Sequence, residues 1–556
     1  MKLEKRIYFI VFALFISFVS LYPYIFNELN MGHDTFFHLS RIEGYAQAIN
    51  NNDFFPSIYP FKNNNYGYIS PTFYCDVLLL LPAILYNLGI PIVISYKIFL
   101  FILAIITVYT TYKLVSKFTN NSLQIMLGIT LYIFSLYRLS NIFVRSALGE
   151  IMALAFLPLL LLGIYEVINE YKYKKLIVGF SLVLLSHNIS FILCCIMFLF
   201  FLIINIKKIL NDKLIILNIF KAVFIVMIIT SFYWVGLVEG LINEDIILNT
   251  TSYSNLLKTS SLHMYQYFTN SINNNVSLQE PGGMTVTVGI FLILLPLMYI
   301  FYKKRHDNEF IFQCSILGYI FLILQSSMID WSNFGLLSFL QFTWRFMIIT
   351  SVLLVLPATI YSTDIFNKYK SYVASILIVI VTINGGMLLL DPLNRDDTLS
   401  DDVKYDDLIN GTVIDPYYSA YFMRVELAGG DYLPIDTIDF RDVNNTVTDI
   451  NDKHLADYKS NYNEISFVLN QKNMDVILPK SYYSGYKIYN VQNTNLVELD
   501  IYKGNGARVA FNTKDTTGDY ILMYEQSFIK KISIIVSIFG IIILMMYQLY
   551  ILKKKE

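Results

Sequence analysis

Charge is scarce in this 556-residue sequence: 15% of its side chains are Asp, Glu, Lys or Arg, against roughly 25% in soluble domains. The shortage excludes an ordinary soluble globular chain and fits one that faces lipid over much of its length. Cysteine is nearly absent. Of Cys75, Cys194, Cys195 and Cys314, three fall in apolar runs and none lies in 391–529, so disulfides do not hold that segment together and no metal-ligand spacing exists. No small-x-small cleavage site follows the first apolar run, which therefore reads as a retained span rather than a signal peptide. Internal repeats and inverted halves are also missing, and nothing points to nucleic-acid binding.

What is present is apolar length: 55% of residues are hydrophobic and 16% aromatic. Lys2, Lys5 and Arg6 precede the run Ile7–Phe26, long enough to cross a hydrocarbon core of about 30 Å. Further runs lie at Ile92–Tyr112, Ser122–Tyr137, Leu148–Ile168, Leu176–Ser186, Ile189–Ile206, Ile219–Leu237, Thr285–Phe301, Phe310–Met328, Phe346–Tyr361, Tyr372–Leu390 and Ile532–Leu552. With these about twelve spans in order, every second connecting segment is basic. The series runs through Lys113 and Lys117, Lys172 to Lys175, Lys207 to Lys213, Lys303 to Arg305, Lys368 and Lys370, and Lys553 to Lys555. By the excess of Lys and Arg on the cytoplasmic side, both termini are cytoplasmic.

Three large segments then lie outside: Asn27–Pro91, Val238–Met284 and Asp391–Ile529. Thr72–Leu88 is apolar but would invert the pattern as a span, so it reads as a helix in the outer interface, broken by Gly89 and Pro91. Segment 391–529 carries 23 acidic and 12 basic side chains, a net of −11, and leaves the remainder at +10 for the chain's total of −1. Its alternating runs Asp475–Leu478, Tyr486–Tyr489, Ala507–Phe511 and Asp519–Tyr524 read as strands of a small sandwich. The expected fold is an all-α polytopic membrane protein with a β-rich extracytoplasmic domain before the last span. Residues 1–390 form the transmembrane module with its first outside loop 27–91, 391–529 the outside domain, and 530–556 the final span and cytoplasmic tail.

Chemistry-bearing residues gather on the outer side. The loop Gly32-His33-Asp34-Thr35-Phe36-Phe37-His38-Leu39-Ser40-Arg41, if helical after Gly32, sets Asp34, His38 and Arg41 on one face. Asp34 is then either a general base beside an anionic substrate or the N-cap of a helix starting at Thr35. Arg138, Arg145 and Arg345 stand where the topology disfavours cations. They suit bidentate phosphate recognition or ordinary pairing with lipid headgroups. His187 and Asn188 offer hydrogen bonds to a phosphate or sugar, or a structural histidine. Glu150 and Glu239 either pair with a nearby Arg or line a polar site. Tyr417, Tyr418 and Tyr421 offer a stacking surface for sugar rings or a core for the β-domain.

The Asp34 loop, the stretch Tyr68–Tyr74, the Ser186-His187-Asn188 turn and Gln341–Phe346 together resemble landmarks of one bacterial group. The chain is similar, over nearly its whole length, to the YfhO-like and "6-pyruvoyl-tetrahydropterin synthase-related" membrane proteins, which belong with the GT-C glycosyltransferases. The pterin label has no support in these residues, and Thr343 replaces the Pro that more often follows the Gln-Phe pair. The resemblance implies a GT-C-like fold in a bacterial plasma membrane. It implies transfer of a sugar from a polyprenyl-phosphate carrier to a cell-wall polymer or lipid-linked glycan acceptor outside the membrane. Asp34 matches the family's catalytic carboxylate. Substrate and phosphate contacts then fall to His33, His38, Arg41, Arg138, Arg145, Glu150, His187, Asn188, Glu239 and Arg345. No metal and no cofactor are implied, and inversion at the anomeric carbon follows from direct displacement. The other readings of the same residues are a transporter or flippase for lipid-linked saccharides, and a glycan ligase or polymerase.

Overall fold

The computed structural model describes residues 3–250, 254–272, 286–302, 308–331, 335–395, 398–405, 430–438, 445–492 and 495–553. Tyr417, Tyr418 and Tyr421 lie outside the described residues. The chain divides into two compact units that do not follow chain order. The first holds Met1–His38, Ile90–Met227 and Ser252–Val403; the second holds Leu39–Gly89, Ile228–Thr251 and Lys404–Glu556.

Each predicted apolar run contains helix, although the run from Thr285, itself outside the described residues, is helical only from Ile290 and the run to Met328 only as far as Leu324. Ile7–Phe26, Ile92–Val115, Leu148–Glu170, Thr343–Asp364, Asn367–Leu393 and Phe528–Tyr550 are each long and apolar enough to cross a membrane. The broken pairs Ser122–Ile133 with Leu136–Phe143, and Lys213–Ile229 with Ser231–Asn243, bring the number to eight. The remaining runs are shorter apolar helices at Asn188–Ile204, Ile290–Phe301 and Glu309–Leu324, and at Lys174–Ser186. By helix length alone six to eight of the twelve runs qualify as spans, because the others are interrupted or end early. The expected interfacial stretch is helical at Val77–Asn87.

In the first unit the helices Leu148–Glu170 and Thr343–Asp364 are the most enclosed, with apolar windows 89% and 100% buried. Pro158 sits inside the former and has no N–H for the carbonyl of Leu154. The Tyr132 hydroxyl donates to that carbonyl instead at 2.7 Å, and Thr110 Oγ1 donates to the next one, Ala155 O, at 2.7 Å. Neighbouring helices thereby satisfy the backbone where water is absent. The tightest approach of two helix backbones is at Gly163, where an added Cβ would lie 2.4 Å from the backbone N of Leu176. A small residue is required there for the two backbones to meet.

The second unit contains the expected β-sandwich. One antiparallel sheet takes the order Ile501–Lys503, Arg508–Asn512, Asp475–Ser481, Val447–Asp449, His454–Ala456. The other takes Tyr458–Asn461, Glu464–Leu469, Gly518–Tyr524, Tyr486–Gln492, Asn495–Leu499. Alternating residues from both sheets, among them Val476, Leu478, Val509 and Phe511 on one and Ile465, Phe467, Ile488 and Leu522 on the other, bury a common core. All four predicted strands are present within one to three residues.

Most of the first outside loop, Leu39–Gly89, falls in the same compact unit as the sandwich. Lys480, on Asp475–Ser481, donates to the carbonyls of Pro60 at 2.8 Å and Asn65 at 2.5 Å, and Ser481 N donates to Tyr66 O at 2.7 Å. Asn63, Asn64 and Asn65 turn the loop in the left-handed region with φ of 56°, 53° and 65°, a conformation asparagine tolerates better than most residues. The final helix joins the same unit. Ser231 Oγ donates to Ser533 O at 2.9 Å, and Ser537 Oγ accepts from Phe232 N at 2.8 Å.

Burial pushes the Lys480 ammonium down to about 7. The unfolded chain, with lysine near 10.4, therefore binds the proton more tightly than the folded one. Stability rises with pH between those two values, at up to about 1.4 kcal/mol per pH unit from this group. Lys480→Met is expected to remove that rise, so its stability advantage over the parent shrinks from pH 7 to pH 10. Denaturant unfolding of both proteins across that range measures the difference; parallel pH profiles would contradict it.

Candidate functional site

The short loop before the helix Thr35–Asn50 is tied down by main-chain bonds. His33 N donates to Val144 O at 3.2 Å, and Asp34 N donates to Arg145 O at 2.8 Å. Gly32 lies so close to the segment 144–146 that an added Cβ would meet Ser146 Oγ at 2.3 Å and Ser146 N at 2.9 Å. Gly32→Ala must therefore displace the loop. It is expected to keep normal protein levels in the membrane while lowering activity at least as much as a conservative change at Asp34. Immunoblot and activity side by side decide this; full activity would show that the loop tolerates displacement.

Asp34 stands at the head of the helix, and its carbonyl accepts from His38 N at 3.0 Å. Its carboxylate takes no hydrogen bond from the described residues, so the side chain does not cap the helix. Burial pushes this carboxyl upward; Arg145 and Arg345 pull it down, and Glu150 pushes it up again. The result is a carboxylate raised above its ordinary range, with proton affinity moved toward that of a general base working near neutrality.

The groups acting on Asp34 form one cluster, entirely within the first unit. Glu150 occupies the first turn of Leu148–Glu170, where the positive end of the helix dipole favours a carboxylate. Its Oε1 pairs with Arg145 NH1 at 2.9 Å and with Arg345 Nε at 3.3 Å, and its Oε2 accepts from Tyr137 Oη at 2.5 Å. Arg145 also donates to Asn141 Oδ1 at 2.7 Å, and Arg345 to Leu340 O at 2.7 Å. Arg145 lies 6.0 Å from the ring centre of Trp344, which stacks on Phe342. The NH2 nitrogen of each arginine has no hydrogen-bond partner among the described residues. Two buried guanidinium groups with spare donors beside an unbonded carboxylate can hold an anion and accept a proton next to it.

The structure thus brings together Asp34, Arg145, Glu150 and Arg345, and puts His38 one helical turn from Asp34. It places the other candidates differently. Arg138 donates to the carbonyl of Ile133 at 2.9 Å, at the break between two helices. His187 Nδ1 accepts from Ser190 N at 3.2 Å and caps the helix beginning at Asn188, while its ring stays within electrostatic reach of Glu150 in the cluster. Arg41 belongs to the second unit, where it bonds Asp76 at 2.5 Å and Cys75 O at 2.9 Å and lies over the Tyr74 ring. Glu239 is also in that unit and accepts from Ser527 Oγ at 2.8 Å. Sequence reasoning missed Tyr137 and Asn141, although they lie four residues apart on the helix Leu136–Phe143 and Arg145 follows four residues after Asn141, just past its end. Among the described residues no group of three or more His, Cys, Asp or Glu is placed to hold a metal ion.

The sequence model of a family described as "6-pyruvoyl-tetrahydropterin synthase related domain; membrane protein" matches residues 72–393. The match takes in Arg145, Glu150 and Arg345 and begins after Asp34. No curated protein matches the chain.

Proposed function

The chain belongs to the 6-pyruvoyl-tetrahydropterin synthase related family of membrane proteins, and from that premise we propose that it is a GT-C glycosyltransferase. It moves a sugar from a polyprenyl-phosphate donor to an extracytoplasmic cell-envelope acceptor. The observation that carries the reading is the buried pair Arg145 and Arg345, joined on Glu150 within electrostatic reach of Asp34. In the reaction an acceptor hydroxyl oxygen attacks the anomeric carbon and the bond from that carbon to the phosphate oxygen breaks. The electron pair stays with the lipid phosphate, whose growing charge meets the free donors of the two arginines. Asp34 takes the hydroxyl proton, and the configuration at the anomeric carbon inverts.

This reading places the chain in a bacterial plasma membrane, with about twelve spans, both termini cytoplasmic and the sandwich outside. The alternation of basic segments supports that orientation, and the four shorter apolar helices would supply the spans beyond eight. The test incubates purified protein with a panel of polyprenyl-phosphate sugars and follows sugar release and transfer. Release from one donor, unchanged by EDTA, is the expected result. A loss on chelation that a divalent cation restores would overturn the metal-independent step. No release from any donor by folded protein would overturn the function.

A further inference from the structure

The second unit contains a cavity of about 430 Å³, within the size range of small-ligand sites, about 300–1,000 Å³. It opens among the helix Ser231–Asn243, the turn at Ser484 and Gly485, and the segment from Tyr524 to the first turn of the final helix. Asp34, Arg145, Glu150 and Arg345 do not line it; of the candidates read from the sequence, Glu239 does.

Its charges balance. Glu239, Glu244 and Glu525 face Lys487, Lys530 and Lys531, three of each sign among the described residues. Several are already engaged with protein. Lys487 pairs with Glu525 at 3.3 Å, and Lys530 Nζ donates to Phe232 O. A phosphate or polyanion therefore meets no net attracting field. A purely apolar ligand fares no better, because the carboxylate, amide and hydroxyl groups of Glu244, Asn243, Gln526 and Ser527 on an otherwise largely apolar wall would lose water without replacement.

A ligand that gains from this wall carries many neutral donors and acceptors. Buried Glu244 accepts from Ser484 Oγ at 2.6 Å and Ser484 N at 3.1 Å, both on Oε1; Oε2 has only a 3.4 Å contact with Ser484 N. That leaves a fixed, oriented acceptor on the cavity wall. Gln526 donates through Nε2 to Phe55 O at 2.8 Å, which leaves its carbonyl oxygen to accept. Asn243 adds an amide, and Tyr524 adds an aromatic ring of the kind that packs on apolar sugar faces. We propose that this cavity is a binding site for a neutral saccharide segment of two or three sugar units. The site is separate from the Asp34 cluster, and its existence does not rest on the transferase reading, because binding is read without donor or turnover.

The full-length protein, held in a sugar-free detergent, is titrated calorimetrically with maltotriose, cellotriose and chitotriose, and in parallel with inorganic phosphate. A second arm uses vesicles containing a neutral digalactosyl lipid, so that a free and a lipid-borne saccharide are told apart. Saturable binding in either arm, with phosphate silent, is the expected result. Glu244→Gln should weaken it by about tenfold or more, as expected for loss of hydrogen bonds to a charged acceptor. Glu525→Gln, at a half-exposed position, gives the same readout if Glu244→Gln does not fold. Absence of saccharide binding in both arms overturns the proposal. So does binding that neither variant changes, or phosphate binding that displaces the sugar.

Discussion

Asp34→Asn is expected to lower transfer by about 10²–10⁴-fold, the usual contribution of a positioned general base, while the protein melts at the parent temperature or above it. The two halves of this result come from one fact. The Asp34 carboxylate is largely shielded by protein yet partly exposed, it takes no hydrogen bond from the described residues, and burial is the largest influence on its proton affinity. An amide of the same shape loses the ability to accept a proton and removes a group that is costly to ionise inside the protein. The sign of the linkage is set by the same shift. A carboxyl raised in the fold binds its proton more tightly there than in the unfolded chain, so its ionisation costs stability above the ordinary Asp range. The advantage of Asp34→Asn in stability should therefore appear as pH rises through that window and persist at neutral pH. Initial rates and melting curves of the two proteins, each against pH, make the measurement. Full activity in Asp34→Asn would remove this residue from the chemistry, and a large fall in melting temperature would assign it a structural role instead.

Glu150→Ala should be the most damaging single change in the first unit, at about 3–5 kcal/mol, because it strands two buried guanidinium groups without their counter-charge. Glu150 is 1% exposed and holds Arg145, Arg345 and Tyr137 at once. Glu150→Gln keeps the shape and two acceptor or donor positions but not the charge, and should fall between the two. Combining Glu150→Met with Arg345→Met should recover part of the loss, since a broken ion pair is worse than an apolar replacement of both partners. Melting temperature in detergent gives the ranking, with activity measured alongside. If Glu150→Ala melts with the parent, the arginines are not held by this carboxylate in the membrane. If it melts lower yet keeps full activity, the cluster supports the fold without taking part in transfer.

Much of the architecture could be read directly from residue order. Apolar length and period-two alternation are local properties, so all predicted runs contain helix and all four predicted strands lie in the two sheets. The place of Asp34 at the head of a helix just past the first apolar run was also legible, because it depends on neighbours only a few residues away. The spacing of Tyr137, Asn141 and Arg145 was equally local and went unused.

What residue order did not decide is which distant groups meet. Arg345 and Glu150 are 195 positions apart, and nothing near either one shows that they share a bond or that Tyr137 joins them. Arg41 shares a predicted face with Asp34 but is turned to account by Asp76, 35 residues away. His187 has the composition of a ligand and the place of a helix cap. The partition of the chain was likewise hidden: Lys480 bonds Pro60 and Asn65 across 420 and 415 positions and draws the first outside loop into the unit of the sandwich. Sequence by itself determined where the chain is helical, where it is extended and which segments are apolar, because those follow from contacts within a turn or two. Only the tertiary structure decided the partners of the buried charges, since an ion excluded from water must find its counter-charge in space, wherever along the chain that residue lies.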